Sequence, residues 1–122
     1  MILKLLSKEF SVIQVSDLSM IDFSISPLFI GKTEEETSVV LPTENVPTQT
    51  INREDHWKAF KIDDVLDFSL VGILAKISTL LAEKSISIFA ISTYNTDYLL
   101  VKSDDLENAI KVFSNNEYIV KI

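Results

Sequence analysis

The 122-residue sequence has no cysteine, two glycines, three prolines and one histidine. Without cysteine there are no disulfides, thiolate metal ligands or thiol nucleophiles, and the composition suits a reducing, cytoplasmic setting. With only Gly31 and Gly72, no glycine-rich loop is available to cradle phosphate or a dinucleotide. His56 has neither cysteine nor a second histidine to share a metal ion. No nucleophile-elbow motif surrounds any serine. The adjacent acids Asp63 and Asp64 at a strand end point apart and are read as solvated. Catalytic residues, metal sites and cofactors are therefore all expected to be absent, and the chain is read as a non-enzyme.

Long apolar runs are also missing. None approaches the roughly 20 residues that cross a bilayer, and residues 1–16 alternate in polarity instead of forming the apolar block of a leader. Positive charge is scarce: eleven Lys and Arg oppose eighteen Asp and Glu, for a net charge of −7. Residues 1–55 hold nine acids and four bases, and residues 56–122 nine acids and seven bases. Neither half offers an electrostatic footprint for nucleic acid or an anionic membrane.

What is present is a globular composition, 47% apolar and 24% charged. A chain of this length buries roughly two thirds of its unfolded surface, enough for one domain or two very small ones.

The second half carries the clearer pattern. Residues 56–63, HWKAFKID, mix aromatic, apolar and charged side chains as a partly buried strand does. Leu70, Ile73, Leu74, Ile77, Leu80 and Leu81 recur at helical spacing and predict a helix over 70–84. Residues 85–93, SISIFAIST, predict a strand apolar on both faces. Residues 94–97 have turn chemistry, and 98–102 form a second strand of the hairpin. Asp104 and Glu107 have capping-box spacing before a helix striped by Leu106, Ala109, Ile110 and Phe113. Asn115 and Asn116 are suited to a left-handed helix end, and 118–122 close with a strand. The order β-α-β-β-α-β is that of the ferredoxin-like split βαβ arrangement.

The first half reads as a weaker copy. Strands are expected at 10–16, 27–33 and 37–41, with a short helix at 17–24 contacting the core through Leu18, Ile21 and Phe23 or Ile25. Glu34, Glu35 and Glu36 form a turn, and Pro42 precedes a helical turn. Residues 47–55 are read as a linker or edge, and 2–6 as one further strand completing this first sheet. The boundary is placed near Glu54, giving a degenerate repeat over 1–55 and a second domain over 56–122. The fold class is thus α+β, two tandem ferredoxin-like repeats with antiparallel sheets and helices on one face.

One constellation points to a ligand. Asp67, Phe68, Ser69, Leu70 and Gly72 open the first helix, and Ser87, Ile88, Thr93, Tyr94, Asn95 and Asp97 lie on or beside the neighbouring hairpin. A helix N-terminus offers unpaired N–H groups to a carboxylate, and Gly72 allows close approach. Asp67 and Asp97 are suited to an ammonium or guanidinium group. Together these describe receptors for a free amino acid; each residue also has a structural role open to it, as cap or turn.

Residues 67–111, and within them Asp67-Phe68-Ser69-Leu70, Gly72, Ile86-Ser87-Ile88 and the run from Ser92 to Asp97, resemble the second repeat of small bacterial tandem ACT-domain proteins. These are related to the ACT repeats of the cytosolic arginine sensors of the CASTOR family. The resemblance extends over 56–113; in residues 1–55 it rests on element order and the SVVLP segment at 38–42. It implies amino-acid binding at a repeat or subunit interface, with Ser87 and Ile88 offering backbone and hydroxyl contacts. Tyr94 and Asp97 would line the pocket, Asp97 facing the cation. Asn95 stands where the sensors have glutamine, and its shorter amide changes the reach. The further acidic groups that the sensors use would come here from a second subunit.

The reading is therefore a cytoplasmic regulatory sensor, homodimeric through uncovered apolar surface, that reports a small amino acid to a regulated protein partner. The alternatives are a dimerisation or interaction module without a functional ligand site and, further off, a small enzyme.

Overall fold

The computed structural model describes residues 1–63 and 72–122, and among these residues seven strands and two α-helices carry the fold. The strands are β1 (Ile2–Val15), β2 (Phe29–Lys32), β3 (Thr37–Pro42) and β4 (Asn52–Ile62), then β5 (Ile88–Ser92), β6 (Asp97–Lys102) and β7 (Ile119–Lys121). The helices are α1 (Ile73–Ala82) and α2 (Leu106–Asn115). Two compact units result: residues 1–7 with 58–122, and residues 8–57. The long strands β1 and β4 contribute one portion to each.

In the larger unit the strand order is β7-β1-β4-β6-β5. From residue 58 onward the chain follows the order β-α-β-β-α-β, with β6 lying between β4 and β5. Leu3, Phe60, Ile62, Leu99 and Val101 form one core with Ile77 and Leu81 of α1 and Ala109, Val112 and Phe113 of α2. Both helices therefore pack on the same sheet face. Phe113 meets Phe60 edge-on at 5.2 Å and Tyr118 at 5.8 Å between ring centroids, geometries favoured by the ring quadrupoles. On the opposite face Ala59 and Leu100 are buried as well, and Phe89, paired with Leu100 across the hairpin, is half-buried.

Several expectations are corrected. Residues 2–6 do not complete the first sheet: Ile2, Leu3 and Lys4 pair in parallel with Ile119, Val120 and Lys121. The first strand thus lies between β7 and β4, where it supplies Leu3 to the core. The capping box at Asp104 is not formed; Ser103–Asp105 make a 3₁₀ turn, and Asp105 precedes α2 without a capping side chain. Past α2 the left-handed residue is Glu117, at φ 68°, rather than Asn115 or Asn116. Tyr118 then donates its N–H to the Phe113 carbonyl at 3.0 Å, closing the helix end.

The unit over residues 8–57 has the order β2-β3-β1-β4 and contains no α-helix. β1 and β3 pair antiparallel from Phe10↔Pro42 to Val15↔Thr37, and Pro42 leads into the 3₁₀ turn Thr43–Asn45. The short helix expected at 17–24 is replaced by turns. Asp17 accepts the Ser19 N–H at 2.8 Å, and Asp22 accepts the Ser24 N–H at 2.9 Å. These local bonds compete with helical pairing, and the serine side chains, followed by these backbone N–H groups, hold both carboxyls below their usual range. The apolar side chains still reach the core: Leu18, Ile21, Ile25 and Leu28 pack with Ile13, Val15, Val39 and Leu41. Phe23 remains 64% exposed.

Nor is the whole of 47–55 a linker, since β4 begins at Asn52. The amide of Asn52 donates to Gln14 at 2.6 Å. Ser11, fully buried, donates to Asp55 at 2.5 Å and shares a 2.9 Å hydrogen bond with Thr43. His56, at φ 68°, is exposed and paired with Glu9 at 3.0 Å.

Candidate functional site

The candidate residues lie in the larger unit, around the start of α1 and the β5–β6 hairpin. Asp67, Phe68, Ser69 and Leu70 fall outside the described residues. Gly72 precedes α1 with φ 81° and ψ 0°, a left-handed conformation that glycine adopts without the Cβ penalty. A Cβ built there would meet nothing within 4 Å. The space is open, so it is the backbone angle that calls for glycine. The first helical hydrogen bond runs from the Lys76 N–H to the Gly72 carbonyl at 2.9 Å. No side chain among the described residues caps this end, so the first-turn amides retain capacity for an acceptor. Beside them lies a shallow cavity of 360 Å³ lined by Gly72, Ile73 and Lys76 together with Met1 and residues 116–118.

The hairpin is built by antiparallel pairing from Ile88↔Val101 to Ser92↔Asp97. Thr93 closes its tip: its N–H and hydroxyl both donate to the Thr96 carbonyl, at 2.8 and 2.9 Å. Tyr94 is 81% exposed, Asn95 is exposed and Asp97 is half-buried at the start of β6. Ser87 is exposed just before β5, and Ile88 is half-buried against the helix-side core.

The residue that the sequence reading passed over is Thr96. It is buried, and its hydroxyl donates to the Ile62 carbonyl at 2.6 Å. This bond seats the hairpin tip against the end of β4, the strand from which the chain continues toward α1. A threonine inside a turn gives no local sign of such a contact, because the acceptor lies 34 residues away. Among the described residues no group of three or more His, Cys, Asp or Glu could hold a metal ion.

A sheet with β6 between β4 and β5 and two helices on one face is the ferredoxin-like α+β arrangement. The ACT domain family matches residues 52–115, and the chain belongs to that family. ACT domains are typically regulatory ligand-binding domains of amino-acid metabolism, and they commonly bind amino acids and dimerise.

No curated protein matches the sequence. Among solved structures, the protein Atu0741 from Agrobacterium tumefaciens is 26% identical, with a TM-score of 0.87 over 98% of this chain and 90% of that one. The regulatory subunit of aspartate kinase from Thermus thermophilus, in its ligand-free form, is 9% identical, with a TM-score of 0.66 over 93% and 95%. The allosteric aspartate kinase of Clostridium acetobutylicum is 17% identical, with a TM-score of 0.66 over 89% of this chain and 33% of the enzyme. At those identities the two kinases establish a shared fold. Among the described residues no helix is long and apolar enough to cross a membrane.

Proposed function

We propose that this protein is a non-enzymatic regulatory sensor that binds a small free amino acid at its ACT site. In this reading the ligand carboxylate meets the first-turn amides of α1 beside Gly72. Asp97, with Asp67, takes the ammonium end. Ser87 and Ile88 offer backbone and hydroxyl contacts, and Thr93, Tyr94 and Asn95 border the pocket with Phe68, Ser69 and Leu70. Residues 1–55 are a degenerate ACT-like repeat and residues 56–122 the ACT domain proper. Kinship with the CASTOR-type arginine sensors belongs to the same proposal, as do a homodimer, a cytoplasmic setting and a regulated protein partner. Occupancy is reported through different affinity for two arrangements of the subunit interface, because a ligand that binds both equally shifts nothing.

The observation that carries this reading is the Thr96–Ile62 hydrogen bond. It supports the reading by joining the tip of the hairpin that carries Asp97 to the end of β4, the strand that precedes α1 in the chain. A thermal-shift screen of the twenty amino acids tests it. Binding should add about 2.7 kcal/mol of stability at a hundredfold excess over Kd. Asp97→Ala should abolish that response while leaving the unliganded Tm nearly unchanged. A folded protein that responds to none of the twenty overturns the proposal in favour of an interaction module, a reading that the 81% exposure of Tyr94 at the hairpin tip also favours.

A further inference from the structure

The C-terminal end of α1, the turn after it, and α2 line a groove of 540 Å³. That volume falls within the range of small-molecule sites. Leu80 of α1 and Val112 of α2 supply apolar lining, and Lys84, Asn108, Lys111 and Asn115 supply donors. Asn116 adds an amide whose NH₂ donates to the Val112 carbonyl at 2.8 Å, which leaves its oxygen as an acceptor. Glu83 is the one acid in the lining. Against two lysines it leaves the groove with a charge of +1 in a chain whose net charge is −7.

The two ammonium groups have acidic neighbours that they do not use. Glu107 precedes Lys111 by four residues on α2, the spacing and order that favour a helical ion pair, and Glu83 adjoins Lys84. Among the described residues neither lysine is in an ion pair. Lys84 and Lys111 both line the groove instead.

We infer that the α1–α2 groove is a second binding site, for a small organic dianion. Its two charges are met by Lys84 and Lys111, its remaining oxygens by Asn108 and Asn115, and its carbon skeleton by Leu80 and Val112. Two flexible ammonium groups act as point charges and suit a phosphate ester or a dicarboxylate. The site is independent of the hairpin site and of the amino-acid reading.

The test is an amide NMR titration of the full chain with inorganic phosphate and, separately, with succinate, each against sodium chloride at matched ionic strength. Saturable shifts centred on residues 84, 108, 111 and 115 are expected, and they should weaken as salt screens the lysines. A response to phosphate alone identifies phosphate esters as the ligand class, and a response to succinate alone identifies dicarboxylates. Lys84→Gln and Lys111→Gln should each weaken binding about fivefold, and the double variant should lose it. Both positions are exposed, Lys84 in the turn after α1 and Lys111 on α2, so the variants keep the fold and their spectra report binding directly. Shifts that match those with chloride, that fail to saturate, or that persist in the double variant overturn the site.

Discussion

The hydroxyl of Thr96 donates to the carbonyl oxygen of Ile62 at 2.6 Å, joining the tip of the β5–β6 hairpin to the end of β4. Thr96 is buried, so removing its hydroxyl leaves a carbonyl without its partner in a place that water does not replace. Thr96→Val, which keeps the side-chain shape, should destabilise the protein by about 1–3 kcal/mol. Thr96→Ser should recover most of that loss. Denaturant midpoints of the three proteins check it; equal midpoints for threonine and valine would show the bond to be dispensable.

The two glycines should behave differently. Gly72 sits at φ 81° with room for a Cβ, and Gly31 has room with no such constraint. Gly72→Ala should therefore cost about 1–2 kcal/mol through the left-handed backbone alone. Gly31→Ala should change stability by no more than about 0.5 kcal/mol. Urea unfolding of both variants separates backbone strain from steric contact.

Two phenylalanines set the scale of burial. Phe113 is fully buried between Phe60 and Tyr118, whereas Phe23 is 64% exposed. Phe113→Ala should cost about 3–5 kcal/mol, combining lost transfer energy with a cavity. Phe23→Ala should cost less than about 0.5 kcal/mol. Comparable losses in thermal unfolding would contradict the packing described for residues 16–28.

Asp55 gives a pH signature. Its hydrogen bond from Arg53, followed by that from Ser11, holds its carboxyl below the usual carboxylate range. A carboxylate whose pKa is depressed by folding stabilises the fold fully above its unfolded value. That contribution is lost as pH falls through the lower folded value. The stability difference between the wild type and Asp55→Asn should thus be constant from neutral pH to about pH 5. It should shrink on further acidification, as followed by urea midpoints across that range. A difference that grew towards acid would reverse the assigned sign.

The elements from residue 58 onward were legible because each announces itself locally. Ile77 and Leu81 repeat at helical spacing, Ala109 and Phe113 do the same, and the hairpin strands are β-branched and apolar around a polar turn. The first half was less legible where side chains compete with the backbone. Residues 17–24 have helix-compatible apolar positions, and Ile21 and Ile25 do reach the core, but Asp17 and Asp22 claim the nearby amides. At the candidate site, Gly72 and the polar turn stood out by residue type. Thr96 did not, because its role depends on an acceptor 34 residues distant.

By itself the sequence determined the composition of the core stripes, the βαββαβ order of the second half and the absence of cysteine chemistry, since all of these follow from residue type and short-range periodicity. Only the tertiary structure decided where the first strand goes. Alternation makes residues 2–6 extended wherever they pair, and it was the parallel match with Ile119–Lys121 and the burial of Leu3 that placed them between β7 and β4. Strand pairing is chosen by contacts between residues far apart in the chain, and local periodicity does not encode them.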